Sequence, residues 1–131
     1  MTPDDHINAA ADLLHAEETR EQISLLTKRY PEMSMDDAYA VQSAIYRAKL
    51  QQGRTVVGWK IGLTSKAMQY ALNIDSPDSG ILFDNMVFSN GAIVPKERFI
   101  QPRIEAEIAF VMKSSVGGED VTREDVIEAT D

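Results

Sequence analysis

Arg103-Ile104-Glu105-Ala106-Glu107-Ile108-Ala109-Phe110-Val111-Met112 reads as a β-strand that carries two carboxylates two residues apart. Side chains alternate along a strand, so Glu105 and Glu107 share a face, and Arg103 precedes them on it. Carboxylates held side by side repel unless a positive charge sits between them. A divalent cation answers that need, and it requires more oxygen ligands than this pair supplies. The opposite face, Ile104, Ala106, Ile108 and Phe110, is apolar and is expected to pack. Ala109 and Val111 are apolar too, so the strand is expected to be buried on both faces past its first half. The glutamates would then stand at the rim of a lined cavity. The competing reading is a half-exposed strand with a solvated acidic edge, because Glu is mostly a surface residue.

The segments before this strand read as helices and then as short strands. Residues 4–26 have Ile7, Ala10, Ala11 and Leu14 at helical spacing. Residues 34–52 form a second helix, with Ser34 as N-cap and Asp36 and Asp37 at its positive end. Ala38, Val41, Ala44, Ile45 and Ala48 make its apolar stripe, and Gly53 is placed to end it. Tyr30-Pro31 separates the two helices. From Arg54 the character changes. Residues 55–61 are β-rich, and residues 65–72 form a short helix capped by Ser65. Residues 75–80 are a dense turn signal. Asn90-Gly91 predicts a hairpin between 86–89 and 92–94. Thr122 caps a last helix over 123–129, with Asp125 at the capping-box position. The expected class is therefore α+β, with a helical region over 1–53 and a β domain over 54–131 that reads as incomplete.

Composition narrows the function classes. The chain has 131 residues, 44% hydrophobic and 26% charged, which suits one ordinary globular domain. A formal charge of −8 disfavours nucleic acid and anionic membranes, which need a basic footprint. There is no cysteine, hence no thiolate ligand or nucleophile, as suits a reducing cytoplasm. No apolar run approaches the roughly 20 residues of a membrane span, and the acidic N-terminus does not read as a signal peptide.

Several motifs fail on inspection. Gly53 and Gly58 have P-loop spacing, but Trp59 stands where the phosphate lysine belongs. Asp75, Asp78 and Gly80 hint at an EF-hand, but Met86 holds the place of its final glutamate. His6 and His15, nine residues apart on one helix, face opposite ways and cannot share a metal.

Three segments together carry a family resemblance. They are Gly58-Trp59-Lys60-Ile61-Gly62-Leu63-Thr64-Ser65-Lys66-Ala67-Met68-Gln69, Ile74-Asp75-Ser76-Pro77-Asp78-Ser79-Gly80-Ile81-Leu82 and Phe99-Ile100-Gln101-Pro102-Arg103-Ile104-Glu105-Ala106-Glu107-Ile108-Ala109-Phe110. Their order and spacing resemble the hydratase/decarboxylase branch of the fumarylacetoacetate hydrolase superfamily, over its N-terminal half. The resemblance implies the start of a fumarylacetoacetase-like mixed β fold. It implies a Mg2+ or Mn2+ hydro-lyase of aromatic meta-cleavage catabolism. Such an enzyme adds water to 2-hydroxy-2,4-dienoates, through the 2-oxo-3-enoate, to give 4-hydroxy-2-oxo acids. A 4-oxalocrotonate-type decarboxylase is the alternative, and a non-catalytic association subunit is a third.

By the same resemblance Glu105 and Glu107 are metal ligands, and the third carboxylate comes from a strand beyond Asp131. Lys60 and Asp78 are catalytic candidates, Asp78 as general acid/base, and Arg103 is a candidate for binding a substrate carboxylate. Read on their own, Lys60 is more readily a strand lysine reaching for water, and Asp78 equally a turn-forming residue. Ser79 departs from the aromatic residue usual there in these hydratases. A homo-oligomer, and association with the pathway decarboxylase, are further expectations of the resemblance.

Overall fold

A computed structural model describes all residues from Met1 to Asp131. The chain divides into two compact units, Met1–Gln101 and Pro102–Asp131.

In the first unit, α1 (Pro3–Thr19), α2 (Leu26–Arg29) and α3 (Met35–Gln51) precede β1 (Val56–Gly62), α4 (Lys66–Leu72) and β2 (Asp78–Phe83). Thr2 and Asp5 form a capping box that starts α1, and Ser34 and Asp37 form another that starts α3. Each box satisfies amide groups that the first turn leaves without partners. The first helix is shorter than expected. It ends at Thr19, where Arg20 turns left-handed at the C-cap, and only the single turn of α2 follows. The apolar residues Ile23, Leu25 and Leu26 extend the pattern in sequence, but Leu25 remains exposed. Gly53, with φ of 82°, follows α3 as the sequence predicts.

The core of this unit lies between α1 and α3. Ala9 and Ala10 meet Val41, with Leu13, Ala44 and Ile45 packed around them. Alanines on α1 let the two helices approach closely. A second stripe of α3 faces the ribbon instead. The Tyr46 ring lies 6.4 Å from that of Phe83, and the Lys49 ammonium lies 5.7 Å over the same ring. Lys49 is buried and is paired at 2.7 Å with Glu17 of α1.

β1 and β2 form an antiparallel two-stranded ribbon in which Lys60 pairs with Gly80 and Gly62 with Asp78. A bulge between Val56 and Gly58 interrupts the register. Asp84 closes the end of the ribbon by exchanging hydrogen bonds with Thr55. The predicted turn at 75–80 is shorter than expected, because Asp78, Ser79 and Gly80 already belong to β2. The hairpin at 86–94 is half realised. Ala92 N–H donates to the Ser89 carbonyl across the turn, with Gly91 left-handed, but no ladder flanks it.

In the second unit, α5 (Arg123–Glu128) starts with a capping box of Thr122 and Asp125, as predicted. The expected strand over 103–112 is absent. Its residues lie outside regular structure and are exposed, with Ile104 fully so and Ile108 86% so. Pairing begins only at Met112, which bridges to Thr130, flanked by Lys113 N–H to the Ala129 carbonyl and Asp131 N–H to the Val111 carbonyl. The reason is physical: a strand exists through a neighbour that takes its N–H and C=O groups, and no segment of this chain forms a ladder with 103–110. No helix is long and apolar enough to cross a membrane.

Candidate active site

Lys60 and Asp78 come together through the register of the ribbon. Residues directly opposite in an antiparallel pair project to the same face, and so do residues two apart on one strand. Lys60, Gly62, Asp78 and Gly80 therefore share a face, with Lys60 and Asp78 on its diagonal. Diagonal neighbours lie about 7–8 Å apart, which a lysine side chain can span. Two glycines occupy the other corners. This face thus carries an ammonium and a carboxylate, with a floor of two glycines at its other corners. Trp59 and Ile61 project from the opposite face and are about half exposed.

Two further elements hold this face in place. Gln69 of α4 is buried, donates at 2.6 Å to the carbonyl of Leu63 and accepts from Lys66 at 2.8 Å. It thereby fixes the left-handed Leu63 just after β1 and sets the end of the strand that carries Lys60. On the other side, α3 reaches β2 through Tyr39 and Gln42, whose side chains bond the main chain of Ser79. Tyr39, Gln42, Tyr46 and Lys49 recur at spacings of three and four, a second stripe beside the apolar one. That periodicity was available in the sequence, but its polar members hid it from a search for apolar residues.

Arg103, Glu105 and Glu107 lie in the second unit, all exposed. As donors the two glutamates have the right chemistry for a hard divalent cation. They are too few for a complete shell, and no group of three or more His, Cys, Asp or Glu side chains in this chain could hold a metal ion. An open recess in the same unit is lined by Ser114, Gly117, Glu119, Asp125 and Glu128 among others, and no predicted site residue lines it.

A separate electrostatic cluster joins α1 and α3. The Asp37 carboxylate accepts from Ser34 N–H at 3.0 Å, from the Met1 amine at 3.1 Å, and pairs with His6 Nε2 at 2.7 Å. The Ser34 main-chain bond, then His6, hold its carboxyl well below the usual carboxylate range. It ties α1 to α3 and is structural.

Known proteins match this chain along nearly all its length. The 2-oxo-hept-4-ene-1,7-dioate hydratase of Escherichia coli is 49% identical over 126 residues, 96% of this chain and 47% of that protein. The 2-keto-4-pentenoate hydratase of Paraburkholderia xenovorans LB400 is 41% identical over 131 residues, 100% of this chain and 49% of that protein. The chain belongs to the hydratase/decarboxylase branch of the fumarylacetoacetate hydrolase superfamily. Another member of that branch has been solved, the 4-oxalocrotonate decarboxylase from Pseudomonas putida G7, complexed with calcium and acetate and also with magnesium and adipate. It superposes with a TM-score of 0.95 at 36% identity, covering 100% of this chain and 51% of that one. The chain spans about half the length of the curated relatives it matches. No family model matches it.

Proposed function

We propose that this chain contributes to a divalent-metal-dependent hydratase that converts 2-hydroxy-2,4-dienoates to 4-hydroxy-2-oxo acids. The observation that carries this reading is 49% identity to a dienoate hydratase over 96% of the chain, joined to a ribbon face that carries both Lys60 and Asp78. The hydratase reading stands ahead of decarboxylation because hydratases match at 39–49% and the decarboxylase at 36%.

The reaction proceeds through ketonisation of the dienol to a conjugated 2-oxo-3-enoate. Water then bonds to C4 and a proton is delivered to C3. Asp78 takes the proton from the attacking water and passes one on, as general acid/base. Lys60 neutralises the substrate carboxylate and holds the chain of carbons across the glycine floor. Arg103 is a second anion-binding group. Glu105 and Glu107 would contribute two oxygen ligands to Mg2+ or Mn2+, the remaining ligands lying outside this chain. Such a cation polarises the 2-oxo group when bound.

The test follows 2-hydroxypenta-2,4-dienoate by ultraviolet absorbance with products separated, using a protein extended past Asp131. Metal-dependent formation of 4-hydroxy-2-oxopentanoate is expected. Asp78→Asn is expected to lower kcat by roughly 10²–10⁴-fold, the usual worth of a general acid/base. Hydration of neither this dienoate nor its longer or carboxylated analogues would overturn the reading. Decarboxylation of a 2-oxo-dioate without hydration would put the decarboxylase in its place.

A further inference from the structure

The Asp78 carboxylate sits on a mount made of groups outside the three motifs' charged residues. Below it is Gly62, its cross-strand partner. A Cβ at Gly62 would overlap Asp78 Oδ1 and lie 3.3 Å from its Cγ. The neighbouring glycines differ: a Cβ at Gly58 or Gly80 would meet nothing within 4 Å. So of the three ribbon glycines, Gly62 alone is closely approached by a side chain, and that side chain is the Asp78 carboxylate, which an added Cβ would push aside.

Beside it, the main chain of Ser79 is held at both of its polar groups. Its N–H donates to Tyr39 Oη at 3.2 Å, and its carbonyl accepts from Gln42 Nε2 at 2.8 Å. Both bonds leave the outer edge of β2, where a third strand would otherwise pair. Two side chains of α3 thus replace one residue's worth of a neighbouring strand. The same helix grips the far end of β2 through Tyr46 and Lys49 on Phe83. Because the Ser79 contacts are made by main-chain atoms, they do not depend on which side chain stands at that position.

We infer that Gly62, Tyr39 and Gln42 are positioning residues that fix the Asp78 carboxylate on the ribbon face for proton transfer. The inference rests on the proposed role of Asp78. Gly62 leaves room for the carboxylate to lie flat against β1. Tyr39 and Gln42 prevent β2 from sliding or rotating at the adjacent residue. Displacement of a reacting group by about 1 Å can cost on the order of 10²-fold in rate, so a single methyl at Gly62 is expected to reach the chemistry.

Two measurements test this. In the 131-residue chain, the Asp78 carboxyl carbon is followed by NMR in Gly62→Ala, Tyr39→Phe and Gly80→Ala. Gly62→Ala and Tyr39→Phe are expected to shift that resonance, and Gly80→Ala to leave it in place. In the protein extended past Asp131, Gly62→Ala is expected to lower kcat by roughly 10–100-fold with KM little changed, and to move a limb of the kcat–pH profile. A merely structural role would not move that limb. An unshifted carboxyl resonance in folded Gly62→Ala overturns the mount, whatever the activity. If Gly62→Ala does not fold, Tyr39→Phe decides in its place, since it removes one oxygen and leaves the backbone intact. A shifted resonance combined with wild-type hydration by Asp78→Asn overturns the role of Asp78 instead, and separates that failure from failure of the geometry.

Discussion

The β1–β2 ribbon and residues 103–112 have the same kind of sequence, yet only the first is a ladder. Both are rich in β-branched and aromatic residues and both carry charged residues, one on each ribbon strand and three at alternating positions over 103–107. The ribbon has its partner strand close by in sequence, delivered by α4 and a short turn, and α3 covers its outer edge. Residues 103–110 have no paired strand and leave Ile104, Ile108 and Phe110 in solvent. Alternation therefore encodes which side chains would share a face, whereas the strand itself is a property of two segments. The functional consequence is direct. Lys60 and Asp78 are brought to one face here, while the relation between Glu105 and Glu107 depends on a partner strand.

Supplying that partner is expected to turn residues 103–110 into a ladder. In the 131-residue chain, the amides of residues 103–110 are expected to exchange with solvent without protection, and those pairing β1 with β2 to be protected. In a version extended past Asp131, residues 103–110 are expected to exchange at least about a hundredfold more slowly, as paired strands do. Hydrogen exchange read by mass spectrometry decides it. Unchanged exchange in a folded, extended protein would mean that the carboxylate pair is not strand-borne at all.

What was legible in the sequence divides along the same line. Caps were legible because a cap closes within four residues: Ser34, Ser65 and Thr122 each accept the predicted main-chain N–H. The α+β class and the apolar stripe through Val41, Ala44 and Ile45 were legible for a similar reason, since period alone identifies them. The left-handed stop at Arg20 was not, because the apolar pattern continues through Ile23 while the helix does not. Asn90-Gly91 specified a turn without specifying strands to flank it. The candidate site could be named as residues but its geometry could not be read: nothing in one-dimensional spacing sets Gly62 opposite Asp78, or Tyr39 and Gln42 against Ser79.

Val41 is buried between α1 and α3, so Val41→Ala removes two methyl groups and leaves a small cavity. The expected cost is about 2 kcal/mol, measured as a lower urea midpoint for the helices. Ile104→Ala removes more apolar volume from a position that is fully exposed, and is expected to change stability by less than about 0.5 kcal/mol. A comparable loss from Ile104→Ala would show that residues 103–110 are packed after all.

Capping boxes of the same design start α3 in one unit and α5 in the other. Asp125 has its carboxyl held below the usual range by Thr122 alone. Asp37 has the equivalent bonds to Ser34 and, in addition, His6 and the Met1 amine. A carboxyl whose folded value lies below its unfolded one binds its proton more readily when unfolded. Its stabilisation is therefore fully present above the unfolded value near 4, and is lost as pH falls through the depressed folded value. Asp37→Asn is accordingly expected to lower the urea midpoint at about pH 5, with the gap to wild type narrowing as pH is taken from about 4 towards 2. Asp125→Asn is expected to show the same sign and a weaker pH dependence, because it lacks the cross-helix partners. A gap for Asp37→Asn that stays constant across that range would mean that the α1–α3 tie works through shape and hydrogen bonding, with the carboxylate charge contributing nothing.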